Sequence, residues 1–217
     1  LATVAEVELA EATEIAVGTL GAFNLRTKDA AQLTTNLTRV NDVLAKTTTS
    51  SNTTMQTLID TIKDSGPVAK MAGADIETFA AMTGTLGNAS IDASRAGTAL
   101  KNIFTRLAAP TSTNIKLMRR MGISTKDADG NLRDVIDILG DFEKALDGIG
   151  TAERTAILSE VFGLRAVAGT EVLLSKGAKG LREYRDQLRG ATGASESMAD
   201  VMRGTLMGSF KTLNSAI

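Results

Sequence analysis

The sequence predicts an all-α protein, and three observations carry the prediction. Larger apolar residues recur at steps of three and four, as at Leu33, Leu37, Val40 and Leu44, or at Leu100, Ile103, Phe104 and Leu107. Strand-like runs of Val, Ile, Thr and aromatics are few. Glycines number 20 against two prolines, and many fall between the periodic segments, where helices stop. At 217 residues, 43% of them hydrophobic, the chain is long enough for one or two domains with a real core. The expected architecture is a multi-helix bundle of about nine to eleven short helices, with one small β-hairpin near residues 123–132.

Taken in order, residues 3–20 are rich in Ala and Glu and are predicted helical. Asp29 opens a sharper stripe, Ala30, Leu33, Leu37, Val40 and Leu44. Two heptads are too few for a free coiled coil, so this is one core-facing helix of the bundle. "TTTSSNTT" at 47–54 reads as a loop whose last members, such as Asn52, cap the following helix. That helix carries Met55, Leu58, Ile59 and Ile62 and is expected to break at Gly66 and Pro67. Asp75 then caps a helix through Ile76, Phe79, Met82 and Leu86, closing at Gly87 and Asn88. Another runs from about Asp92 to Ala108, with Pro110 just beyond it, and a short one through Leu117 and Met118 leads to Gly122.

Ile123 and Ser124 are expected to pair with Asn131 and Leu132 around an Asp129-Gly130 turn, which makes the hairpin. A well-patterned helix follows, with Val135, Ile138, Leu139, Phe142 and Leu146. Three more are placed at 151–162, 165–175 and 178–189, divided by Gly163 and Gly177, and a last one runs from about Ser195 onward. The chain starts at Leu1 within helix-like sequence, so residues 1–217 are read as a fragment of a longer chain, with a weak sub-boundary near 110–122. No repeat of fixed length emerges, which does not support a solenoid.

Composition removes most chemistry. There is no Cys and no His, so Ser-His-Asp and Cys-His nucleophiles and zinc sites built on those ligands are excluded, as are disulfides. No Gly-Lys pair occurs, hence no Walker A loop, and "GIGTAE" at 148–153 lacks the third glycine and the preceding strand of a dinucleotide fingerprint. In "TKDADGNLRDVI" an EF-hand frame would place Thr125 first and Ile136 twelfth, where calcium needs carboxylates. Asp134, Asp137 and Asp141 share a helix face opposite the apolar stripe and read as a solvated face. The most basic stretch, Lys176, Lys179, Arg182, Arg185 and Arg189, is interrupted by Glu183 and Asp186 and reads the same way.

Net charge is −4 over residues 1–98 and +3 over 99–217, and aromatics are scarce, so nucleic-acid contact is weak at most. The longest charge-free stretch, Thr78 to Ile91, is too short and too polar to span a membrane. No cofactor and no enzymatic activity are expected.

One local feature resists the helix rules. In "ASRAGTALKNIF" (93–104) a glycine stands in mid-helix, where it costs about 1 kcal/mol against alanine. No ligand chemistry surrounds it. We therefore expect Ala96, Gly97, Thr98 and Leu100 to form a helix-packing point, where a small-residue face made by Ala93, Ala96, Gly97 and Ala99 lets a second helix come close.

The same region resembles a known family. "GPVAKMAGADIETFAAMTGTLGNASIDASRAGTALKNIFTRLAAP" (66–110) is similar to the helical region of phage tail tape-measure proteins, matching at Gly66, Pro67, Ala69, Glu77, Ala80, Ala81, Ala96 to Leu100, Leu107 and Pro110. "NDVLA" at 41–45, Gly122, Asp129-Gly130 and Phe162-Gly163 extend the match across most of the chain. Ser90-Ile91 departs from it, since Gly-Ile is more usual there. The resemblance implies a structural role: setting tail length, and taking part in tail assembly and DNA ejection. It implies tail tube, tail tip and tail assembly chaperone proteins as partners, with self-association a further expectation. The implied location is the tail lumen of the virion, and the host cytoplasm during assembly. A helical adaptor unrelated to phage would show the same periodicities.

Overall fold

The computed structural model describes residues 9–201. These are helical almost throughout: α1 (Leu9–Ala22), α2 (Ala30–Ser50), α3 (Met55–Met71), α4 (Ile76–Asn88), α5 (Ala93–Ala108), α6 (Ser112–Arg120), α7 (Val135–Ala145), α8 (Thr151–Phe162), a 3-10 turn (Leu164–Ala166) and α9 (Val167–Arg189). A further helix begins at residue 194. The stretches of the first and last expected helices at 1–8 and 202–217 lie outside the described residues.

The charge-free stretch of the sequence turns out to be the centre of the bundle. Every residue of α4 from Ile76 to Gly87 is buried, as a helix without a charged face should be. Its threonines pose no problem in the interior, because Thr83 and Thr85 donate their hydroxyls to the carbonyls of Phe79 and Ala81 one turn earlier. Around α4 lie α2, α3 and α9, while α3 packs along α5 and α9 runs on against α7. Phe79 of α4 sits between Phe23, edge-on at 5.5 Å, and Phe104, stacked at 6.5 Å. Phe142 and Phe162 make a second ring contact at 5.0 Å. One hydrophobic cluster embraces residues on both sides of the 110–122 segment.

Helix starts follow the side-chain capping rule. Asp29, Thr54, Asp75, Asp92, Thr111 and Asp134 each accept a backbone N–H of the first turn. Stops follow an equally regular rule. At Asn24, Gly73, Ser90 and Gly122 the backbone turns left-handed, with φ of 53°, 81°, 58° and 73°. The following N–H reaches back five residues each time: Leu25 to Leu20, Ala74 to Ala69, Ile91 to Leu86 and Ile123 to Met118. This is a Schellman close with an apolar residue after it.

Ser90, like Asn24, has a Cβ where glycine is the natural occupant, and it falls where glycine is expected from the sequence. Ser90→Gly is therefore expected to stabilise the fold by about 0.5–1 kcal/mol, net of the extra chain entropy of glycine. Thermal unfolding followed by circular dichroism would show a midpoint higher by about 2 °C.

Three expectations need correction. The β-hairpin near 123–132 does not form: Lys126 and Leu132 make a single isolated bridge, and no strand is present among the described residues. Backbone pairing stops at two bonds, Arg133 N–H to the Thr125 carbonyl and Asp127 N–H to the Asn131 carbonyl, and beyond them side chains take over: Asp127 Oδ1 accepts the N–H groups of Asp129 and Asn131, and Ser124 Oγ bonds to Lys126. The Thr/Ser tract is a loop only at its end. Thr47, Thr48, Thr49 and Ser50 belong to α2, their hydroxyls donating to carbonyls of the preceding turn, while the expected cap from the end of the tract is supplied by its last member, Thr54.

Gly66 and Pro67 do not break α3 either. A proline inside a helix costs about 3 kcal/mol, but continuing the helix buries Ala69 and lets α1 approach at Gly66, where a Cβ would lie 3.2 Å from that of Ala22. The division expected at Gly177 is present, as a break in helical backbone between the two segments of α9. Gly177 (φ 75°) bends α9, and Glu143 Oε2 accepts the N–H of Ala178 that the kink leaves without a helical partner.

Candidate functional site

The chemistry-bearing side chains converge on α9 and the helix starts that face it. Arg182 Nη2 lies 2.6 Å from Asp137 Oδ1, Arg185 Nη1 lies 2.7 Å from Asp134 Oδ2, and Arg189 Nη2 lies 2.7 Å from Asp75 Oδ2. Steps of three and four put the arginines on one stripe of α9. Asp134 and Asp137 meet them with a step of three at the start of α7.

Two of the carboxylates have a double duty. Asp75 gives Oδ1 to the N–H of Thr78 and Oδ2 to Arg189; Asp134 gives Oδ1 to the N–H of Ile136 and Oδ2 to Arg185. The caps of α4 and α7 are thus also the docking points of α9. Asp141 pairs with Arg133 at 2.8 Å. Of the acidic row of α7 and the basic row of α9, each read from sequence as a solvated face, Asp134 and Asp137 meet Arg185 and Arg182 in one seam, while Lys176 and Lys179 stay exposed. That is a correction, and its cause is tertiary: either row alone has the pattern of a solvent face, and only the fold sets them opposite.

A second polar cluster joins α2 to α4. Arg39 clasps Glu77 through Nε and Nη2, both at 2.6 Å, and Glu77 is only 2% exposed. A carboxylate so deep needs such a two-point partner. Hydrogen bonds to Glu77, Asp137 and Asp75 hold the guanidiniums of Arg39, Arg182 and Arg189 above their ordinary pKa. Burial would raise the Asp75 carboxyl, but the bonds from Thr78 and Arg189 outweigh it and keep the group below the usual carboxylate range.

A lowered folded value means that Asp75 contributes stability above about pH 4, and that the contribution is lost as pH falls through the folded pKa. Arg189→Gln is expected to cost about 0.5 kcal/mol at pH 7, as a partly exposed pair does, and nothing further at pH 2. Denaturant unfolding at the two pH values checks this.

The expected packing residues lie on α5. Ala96, Gly97 and Leu100 are buried and Thr98 is half-buried. A Cβ on Gly97 would lie 2.6 Å from Asp64 Oδ2 and 3.1 Å from Asp64 Cβ, so α3 passes over it. Ala99 faces elsewhere: a Cβ on Gly169 of α9 would lie 2.7 Å from the Cβ of Ala99. The small residues therefore serve two neighbours on two sides of α5, not one face. Sequence reasoning overlooked Glu77 and Asp42, which accept hydrogen bonds at near-full burial, and Glu143, which completes the kink of α9. An isolated acid in an otherwise apolar segment, as at Glu77, was the available signal.

This geometry neutralises charge and clamps helices. Its carboxylates are engaged by guanidiniums and backbone N–H groups, and among the described residues no cluster of acids has the makings of a metal site. No helix among them is long and apolar enough to cross a membrane.

Comparison with known proteins points the same way as the sequence pattern. Residues 1–163 match the model of a family described as phage-related minor tail protein. The chain is 29% identical over 216 residues to the tape measure protein of Pneumococcus phage Dp-1, covering 100% of this chain and 18% of the relative. It is 31% identical over 193 residues to a protein described as a probable tape measure protein of Escherichia phage P2, covering 87% of this chain and 24% of the relative. It thus spans 18% and 24% of the length of these curated relatives. No solved structure is significantly similar. An all-α bundle of clamped helices and a family match running from residue 1 to residue 163 together place the chain: it belongs to the phage-related minor tail protein family.

Proposed function

We propose that these residues are a folded region of a tape-measure protein, structural rather than catalytic, whose role in the virion is tail assembly and DNA ejection, with the length-setting helices elsewhere in the longer protein. The observation that carries this reading is a contrast of dimensions. As a continuous helix, 217 residues would span about 330 Å, whereas a bundle of this size has a radius of gyration of about 17 Å. The relatives named as tape measure proteins support the role, and the helix stops support the compact form. In this reading the protein is made in the host cytoplasm with tail assembly chaperones. It then occupies the tail lumen, contacting tube and tip proteins, and further copies of itself. Ala96, Gly97, Thr98 and Leu100 act as the packing point that keeps α3 on α5, and residues 1–217 work as one helical region.

Phage carrying an in-frame deletion of residues 1–217, imaged by electron microscopy and assayed for plaques, test the proposal. Full-length tails with lost infectivity are expected. Tails shorter by about 330 Å would show that the segment is measured as extended helix, and normal tails with normal infection would remove the proposed role.

A further inference from the structure

The helix that begins at residue 194 is held to the bundle in an unusual way. Its N-terminal neighbour, Gly193, has no side chain with which to cap it, yet the first N–H groups of a helix need acceptors. They are supplied by α2, more than 150 positions away in the chain: Asp42 Oδ2 accepts the N–H of Gly193 at 2.8 Å, and Asp42 Oδ1 accepts both the N–H and the hydroxyl of Ser195, at 2.9 and 2.6 Å. Asp42 is 4% exposed. Among the described residues no cation pairs with it, because Arg39, one turn earlier on the same helix, is committed to Glu77. The charge of this carboxylate is therefore met by the positive end of the docked helix and by its N–H groups.

The join before this contact is short and flanked by two glycines, Gly190 and Gly193, with Gly193 at φ 75° and Ala191 buried between them. Met198 is half-buried with its sulfur 3.8 Å from Thr48 Oγ1, and of the residues described in this helix only Ala199 is buried. This apolar contact is thin beside that of α9, which three arginines and a core-facing stripe tie to α4 and α7. If the helix left, Asp42 would exchange three protein donors for water, and the described apolar residues of the helix to lose their packing would be Ala194, Met198 and Ala199.

We propose that Asp42 is a latch: its carboxylate docks the helix beginning at residue 194 onto α2, and the Gly190–Gly193 connection is the hinge about which that helix swings off while α1 to α9 stay folded. This goes beyond the tail role. The bundle can then stay intact while the chain that leaves it changes direction.

Hydrogen exchange with mass-spectrometric readout on the full chain tests the latch, using Asp42→Ala and Ser195→Ala. In Asp42→Ala the amides of 193–201 are expected to exchange at least about tenfold faster, the consequence of removing the buried acceptor that the helix's first N–H groups share, while those of α3, α4 and α5 keep their rates. Ser195→Ala, which removes only the hydroxyl donor, is expected to give a smaller rise over the same peptides. It also keeps the test decisive should Asp42→Ala fold poorly. Equal acceleration throughout the chain in Ser195→Ala would make this contact a general stability element and overturn the latch. Unchanged exchange of 193–201 in both variants would show that apolar contacts hold the helix, and would overturn it equally.

Discussion

Phe79→Ala is expected to cost about 3–5 kcal/mol, the range for truncating a buried aromatic. The side chain is fully buried on the central helix, and its ring joins those of Phe23 and Phe104, at 5.5 and 6.5 Å, from the end of α1 and from α5. Removing it opens a cavity where three helices meet, and rigid neighbours on several sides leave little room for collapse. Since domains are stable by only about 5–15 kcal/mol, this single change would remove roughly a fifth or more of the total. Phe79→Leu, which keeps much of the volume, is expected to lose under about half as much. Denaturant unfolding of the two variants provides the comparison, and equal losses would mean that the ring contacts themselves, not the filled volume, hold this junction.

The second large effect is at Gly169. A Cβ there would stand 2.7 Å from the Cβ of Ala99, and Ala99 has no torsion through which it can yield. The helices must separate. Gly169→Leu is expected to cost about 3 kcal/mol or more, at the upper end of overpacking. Gly97 makes a useful contrast. Its nearest neighbour is the carboxylate of Asp64, 42% exposed and weakly paired with Lys101 at 3.6 Å. An alanine there displaces a side chain that can swing into water, and the gain of about 1 kcal/mol in helix propensity offsets much of the clash. We therefore expect Gly97→Ala to be near neutral and Gly97→Leu, whose branch must enter α3, to lower the melting temperature clearly. An unaltered melt of Gly97→Leu would remove the packing role.

Comparing these positions shows what a one-dimensional pattern can and cannot carry. That Gly97 sits against a neighbour follows from its cost in mid-helix. Which neighbour, and how soft it is, does not follow, because Asp64 looks in sequence like any exposed acid of α3. Gly169 gave no signal at all: near the start of a helix a glycine is unremarkable, and its strict requirement comes from Ala99, 70 positions earlier. The same reasoning covers the misread Thr/Ser tract and Pro67. Hydroxyls can satisfy either a loop or a helix, and a proline penalty is fixed while the packing that outweighs it depends on who lies alongside.

The sequence by itself determined the all-α class, most helix ends and most of the core. Each of these is a local matter: a cap and its N–H lie within three residues of one another, a Schellman close within six, and an apolar stripe repeats within two turns. Only the tertiary structure decided that Asp134 and Asp137 of α7 meet Arg185 and Arg182 of α9. It decided likewise that Glu77 and Asp42 are buried acceptors, that Glu143 completes the kink of α9, and that the 123–132 loop pairs at a single bridge and is closed beyond it by side chains. Most of those outcomes turn on partners dozens of residues away. A charge has the same letter in the sequence whether water or a guanidinium will finally face it.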